Sequence, residues 1–224
     1  MSISMKLKRD IATLVYPQPS NIVETLNGHA KLNKWLRKNL APTFKHRFEL
    51  YNFVEQEYIK GEKIQYLEFG VHEGESIKKW TDIHRNPESR FTGFDTFTGL
   101  PTDWGDYLKS GHFDTGGMKP ELDDERASFI AGLFQQTLPV YLREHQSTGR
   151  LVIHNDSDLY SSTLYTLTML HDLMVPGTII IFDEFASPLH EFRAWNDFLD
   201  SYMRKATLIG SSGPYAEQAA FIFE

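Results

Sequence analysis

Apolar residues fall at two spacings along this 224-residue chain, and the alternation between those spacings sets out its elements. Short β-prone runs, IQYLEF at Ile64–Phe69, RFTGFD at Arg90–Asp95 and RLVIHN at Arg150–Asn155, read as strands. TIIIF at Thr178–Phe182 is continuously apolar, as a strand buried on both faces must be. Helical spacing takes over between them, at Ser76–Ile83, Leu122–Phe134 behind a capping Asp123-Asp124, Ser161–Met174 and Leu189–Met203. Gln135–Glu144 reads as a short buried element, and two short strands, Thr207–Ile209 and Ala219–Phe223, close the chain around Gly213-Pro214. The alternation predicts an α/β fold, a mainly parallel sheet with helices on both faces.

The first 60 residues carry helical patterns only. A short amphipathic turn with Ile11, Leu14 and Val15 precedes the Pro17–Pro19 break. Ser20-Asn21 then open a helix with Ile22, Val23 and Leu26, which Gly28 is expected to interrupt. A basic helix follows at Lys31–Leu40, and a third spans Phe44–Ile59 with Gly61 as its stop. This divides the chain into a helical extension, 1–60, and a main domain, 61–224. The extension packs on the domain, joins copies into a homo-oligomer, or covers a substrate pocket; packing is the simplest reading. The Lys31–Lys38 face reads as solvated surface.

Chemistry concentrates where the strands end. The stretch QYLEFGVHEGESIKKW feeds a strand through Glu68, Gly70 and Gly74 into a helix. Such a turn offers backbone N–H groups and a positive helix end to a ligand, and glycine allows close approach. The spacing E-x-G-x-x-x-G differs from the G-x-G-x-x-G of nicotinamide-binding turns. Asp95, at the end of the next strand, is placed to accept ribose hydroxyls, or more plainly to cap a turn. Acids also end the later strands, Asp156 with Asp158 and Asp183 with Glu184. Carboxylates after two strands can converge on a hard cation such as Mg²⁺; their bland role is to cap the following helices. Residues 97–120 are rich in glycine and aromatics (Phe97, Trp104, Tyr107, Phe113), which reads as a lid over the site or a plain loop.

Composition narrows the classes. Hydrophobic residues make up 41% and charged ones 24%, an ordinary globular mixture, and the net charge of −7 argues against a nucleic-acid footprint. The absence of cysteine removes disulfides, thiol catalysis and Cys-ligated zinc, and fits a cytoplasmic setting. No apolar run is long enough for a membrane span, and MSISMKLKRD lacks the apolar core of a secretory signal.

Five segments in order, LEFGVHEGES, GFDTFTGLP, the Gly132–Pro139 stretch GLFQQTLP, HNDSDLYSSTLYTL and PGTIIIFDEF, resemble the macrocin-type O-methyltransferases. The resemblance runs from about residue 63 to 185. It implies a Rossmann-like class I methyltransferase sheet and an enzyme that takes a methyl group from S-adenosylmethionine to a hydroxylated small molecule, commonly a sugar on a natural product. It implies that Glu68, Gly70 and Gly74 line the methionine side of the cofactor and that Asp95 holds the ribose, with Phe69, Ser76, Thr96 and Phe97 as further cofactor-binding residues. Asp156, Asp183 and Glu184 fall where the family binds Mg²⁺ or Mn²⁺, with Asp158 as the alternative to Asp156, which lies nearer the strand end; many relatives have Asp-Asp where this chain has Asp183-Glu184. His154, Asp156 and Asp158 are the candidate general bases. A nicotinamide oxidoreductase would share the sheet and Asp95 but lacks its glycine turn here, and a non-catalytic cofactor-binding protein would not need the later carboxylates.

Overall fold

The computed structural model describes residues 20–104, 108–144 and 148–224; the expected turn at Ile11–Val15 and the lid residue Tyr107 lie outside them. Helix α1 (Ser20–Leu36) leads to a two-residue strand β1 (Thr43–Phe44) and helix α2 (Arg47–Val54), which passes into a π turn, Glu55–Ile59. There follow β2 (Ile64–Phe69), α3 (Glu75–Ile83), β3 (Arg90–Asp95), β4 (Ala127–Ala131), α4 (Phe134–Glu144) and β5 (Arg150–Asn155). The chain ends with α5 (Tyr160–Leu170), β6 (Ile179–Phe182), α6 (Glu191–Ser201), β7 (Ala206–Ser212) and β8 (Gln218–Phe223). Among the described residues these strands form one sheet in the order β1-β7-β8-β6-β5-β2-β3-β4. All its pairs are parallel except those that β8 makes with β6 and β7. β2 lies between β3 and β5, so Phe69 sits beside both Phe94 and Asn155 and the ends of three strands open side by side.

Alternation along the strands sends side chains to two cores. Leu67, Phe69, Phe94 and Ile153 meet α1, α4, α5 and α6 through Leu32, Leu138, Leu167 and Trp195. Tyr66, Phe91, Val152 and Ile181 meet α2 and α3 through Leu50, Tyr51, Val54, Ile77 and Trp80. Both sheet faces are therefore covered, as a parallel sheet requires.

Three expectations change. The helix expected at Leu122–Phe134 is an edge strand, β4, in register with β3 from Phe91↔Ala127 to Asp95↔Ala131. Asp124 caps no helix. It accepts from the Arg126 N–H and guanidinium, which also donates to the carbonyls of Thr81, His84 and Asn86. Tertiary anchoring of Arg126 outweighs the local helical pattern. Gly28 does not break α1; the helix runs through it, and a Cβ there would stand only 3.1 Å from Pro188 and Leu189, so glycine serves close packing. The helix expected from Phe44 starts at Arg47, because Thr43 and Phe44 pair with Ser211 and Ser212 as the sheet edge. Residues 43–59 thus join the sheet and its core.

Candidate active site

A cavity of about 640 Å³ lies beyond the carboxyl ends of β2, β3, β5 and β6. That is the size of site a nucleoside-sized ligand needs, and its place is where open α/β sheets bind ligands. It is lined by Gly70, Gly74, Ser76, Asp95, Thr96, Asp156, Asp158, Asp183 and Glu184, so nine of the sequence candidates meet there. Glu68, Phe69, Phe97 and His154 are not among the lining residues. Phe69 stacks on Phe94 beneath the turn, Phe97 is buried against Phe129, and Glu68 and His154 are buried on the α2–α3 side of the sheet.

The turn after β2 is built for close approach. Gly70 has φ +91°, and a Cβ on it would fall 1.8 Å from the Asp156 carbonyl oxygen. Glycine therefore lets the ends of β2 and β5 touch. Gly74, at φ +80°, caps α3, and Pro120 at the end of the long loop leaves no room for a side chain there. One oxygen of Asp95 accepts from the backbone N–H groups of Val71 (2.7 Å) and His72 (2.8 Å), and the other from Phe97 (2.8 Å). Asp95 thus clamps the glycine turn to β3 while lining the cavity. His72, Phe113 and Asp158 also line it with positive φ; backbone strain of this kind collects at functional sites.

The carboxylates divide into two sets. Asp183 is saturated: it takes Arg47 Nη1 at 3.2 Å, the Tyr51 hydroxyl at 3.4 Å, and lies 3.8 Å from His154 Nε2. Burial would raise its pKa, but His154, Arg47 and Tyr51 outweigh that and hold it below the usual value. Asp156, Asp158 and Glu184, by contrast, meet no donor among the described residues. Burial, then the charge of Asp183 and Asp158, pushes the Asp156 carboxyl well up. Burial with Glu184 and Asp183 raises Asp158 to about 7, and burial with Asp183 and Glu217 raises Glu184 to about 7.

His154 lies under this cluster. Its Nδ1 faces the Tyr66 hydroxyl at 2.9 Å and Glu68 at 3.3 Å, and its Nε2 faces Tyr51 at 3.2 Å. Burial alone would lower its pKa; hydrogen bonds and charge from Asp183 and Glu68 carry it instead to about 9. The ring is a charged strut between two acids.

Two site residues carry no motif and were missed. Arg47, at the start of α2, lines the cavity and ties Asp183 to Glu75 on α3. Buried Glu191, in the first turn of α6, accepts from the Glu184 N–H at 2.9 Å and the Asn155 amide at 2.8 Å, fixing the ends of β5 and β6 together. The β1–β7 pairing and the burial of α2 bring the first into place, and the β6–α6 connection the second.

The long loop folds back on itself. Leu100 N–H donates to His112 O and Gly111 N–H to Leu100 O, both at 2.9 Å, and Gly117 N–H donates to Phe97 O at 2.8 Å. Its Trp104, which lines the cavity, meets His190 just before α6, rings perpendicular with centroids 6.1 Å apart.

Among the described residues, no three His, Cys, Asp or Glu side chains stand close enough to grip a metal ion as they are. The donors themselves are suitable: Asp156 and Glu184 are unpaired hard oxygens beside Asp183, which Arg47 already engages.

A sequence model of the family described as Macrocin-O-methyltransferase (TylF) matches residues 49–209. A Streptomyces olivaceus protein named 8-demethyl-8-(2,3-dimethoxy-alpha-L-rhamnosyl)-tetracenomycin-C 4'-O-methyltransferase is 37% identical over 76 residues, 31% of this chain and only 27% of that protein's length. Among solved structures, the calicheamicin methyltransferase CalS11 aligns with a TM-score of 0.62 at 20% identity, covering 99% of this chain and 94% of that one. A Bacillus cereus O-methyltransferase in complex with S-adenosylhomocysteine aligns with a TM-score of 0.54 at 16% identity, covering 96% of each chain. At these identities the structural likenesses show the Rossmann-like methyltransferase fold.

Proposed function

The chain belongs to the macrocin O-methyltransferase family, and on that premise we propose that it methylates a hydroxyl of a sugar on a natural-product small molecule, using S-adenosylmethionine. The observation that supports this best is the seam between β2 and β5. Gly70 brings the glycine turn against the Asp156 backbone, so the cofactor side of the cavity, Gly70 to Asp95, directly adjoins the donor-free carboxylates Asp156, Asp158 and Glu184. The rhamnosyl-directed name of the Streptomyces relative supports a sugar as the acceptor.

Each residue then has a task. The Gly70–Gly74 turn and Asp95 hold the cofactor's methionyl and ribose parts. Bound S-adenosylmethionine would supply an electrophilic methyl group, passed to the acceptor oxygen as its bond to sulfur breaks, with S-adenosylhomocysteine as the leaving group. Asp158, raised to about 7 by burial and its acidic neighbours, takes the acceptor's proton. His154 does not serve as that base: it stands outside the cavity and is already protonated at neutral pH. It orients Asp183 instead. Trp104 forms part of the cavity wall, held by its contact with His190. Asp156, Asp183 and Glu184 would hold Mg²⁺ or Mn²⁺, once Asp183 turns from Arg47; such a cation would lower the acceptor hydroxyl's pKa and orient neighbouring hydroxyls.

The test is a methyl-transfer screen on glycosides with vicinal hydroxyls, run with EDTA and with Mg²⁺ restored. Metal-restored transfer to a sugar hydroxyl is expected. Full turnover in EDTA would remove the cation, and transfer only to non-sugar hydroxyls would remove the sugar.

A further inference from the structure

We infer that Arg47 is the cofactor's carboxylate clamp, the group that takes the α-carboxylate of the methionyl moiety; this rests on the methyltransferase reading above. With its ribose at Asp95, as the proposed function has it, S-adenosylmethionine would extend its amino-acid arm over the Gly70–Gly74 turn of β2, the strand that lies between β3 and β5, and so toward the β5 and β6 side of the cavity. On that side the wall is acidic: Glu73, Glu75, Asp156, Asp183 and Glu184 line it. Those carboxylates suit a sulfonium and an ammonium, but they repel a third group of the same arm, its carboxylate. Arg47 and Lys78 are the cations among the described lining residues, and of the two Lys78 is exposed while Arg47 is half-buried.

Arg47 has donors left for the task. Nη1 serves Asp183 and Nη2 serves Glu75, while Nε meets no acceptor among the described residues. A guanidinium fork matches a carboxylate with two parallel N–H bonds. Its base is fixed: β1 pairs with β7 just before it, the His46 side chain caps α2, and Leu50, Tyr51 and Val54 bury the helix behind it. The N-terminal segment thereby supplies a cofactor contact rather than packing alone. When the fork turns to the incoming carboxylate, Asp183 gives up one of its two cationic partners and keeps His154, so cofactor binding frees an oxygen in the acidic pocket beside it.

Calorimetric titration with two probes isolates this contact: S-adenosylhomocysteine, which carries the amino-acid arm, and 5′-methylthioadenosine, which lacks it. Arg47→Met is expected to weaken S-adenosylhomocysteine by about 10- to 100-fold, the worth of a charge-assisted hydrogen bond, while 5′-methylthioadenosine changes by less than about two-fold. Arg47→Lys, which keeps the charge without the fork, is expected to show a smaller loss with the same selectivity, and it carries the test should Arg47→Met lack a cooperative thermal transition. Equal losses for both probes, no loss for either, or a selective loss in Lys78→Met instead would overturn the assignment while leaving the methyltransferase reading in place. Wild-type protein that binds neither probe would overturn both.

Discussion

Gly70 shows how one side chain, or its absence, fixes the geometry of the whole site. A methyl group there would meet the Asp156 carbonyl at 1.8 Å in a left-handed backbone. Gly70→Ala combines overpacking with left-handed strain, about 2–4 kcal/mol together. For a chain of this size the melting temperature should fall by roughly 5–15 °C in a thermal scan; an unchanged transition would mean the β2 and β5 ends are not in contact. Asp158 carries a different kind of prediction. Asp158→Asn should keep S-adenosylhomocysteine affinity within about two-fold and lower turnover by about 10²–10⁴-fold. In the wild type the rate should fall on acidification as the Asp158 carboxylate, raised to about 7, takes up its proton. An acid limb that survives unchanged in Asp158→Asn would assign the base elsewhere.

At the scale of elements, the parts that read correctly from sequence are those where local pattern and tertiary role agree. β2, β3, β5 and β6 fall close to the ranges that their apolar runs indicate, and acids end all four. β4 fails that test because its burial alternates weakly and its place depends on Arg126, whose carbonyl partners His84 and Asn86 lie about 40 residues away. Arg47 was illegible for the same reason: it stands in no motif, and the strand that delivers it is two residues long. The loop 96–120 did reveal its place through its glycines and aromatics, but not its internal hydrogen bonds, which link residues of low sequence regularity. Trp104 docks its outer part, while Phe97 and Pro120 hold its two ends. Trp104→Ala should raise amide exchange at 97–104 and 108–118 while leaving β2 and β5 protected. Exchange unaltered in those segments would show that the Trp104–His190 contact does not hold the loop.

For the whole molecule, unpaired acids make stability depend on pH and on cations. Asp158 and Glu184 titrate at about 7 when folded, against ordinary values of 3.8 and 4.5. The folded state therefore binds more protons than the unfolded chain, and stability falls as pH rises from about 4 to 7. His154, at about 9 when folded against 6.5, adds stability that is full below 6.5 and is lost as pH rises through 9. Asp183 acts oppositely, its stabilisation being lost on acidification below the ordinary carboxylate range. Metal-free protein should thus melt at a higher temperature at pH 5 than at pH 8.5. Mg²⁺ should raise the transition more at pH 8 than at pH 5, where protons compete for the same oxygens. A transition insensitive to both would show that the acid cluster is compensated within the fold.

Every residue role proposed above depends on S-adenosylmethionine binding in the cavity beside Gly70 and Asp95. Calorimetric titration of the wild-type protein with S-adenosylmethionine, repeated in the presence of NADH, tests it most directly. The prediction is one site per chain, competed by S-adenosylhomocysteine, untouched by NADH, and weakened in Asp95→Ala by about 1.5–3 kcal/mol. Heat from NADH that is competed away by nothing else, with none from S-adenosylmethionine, would contradict it.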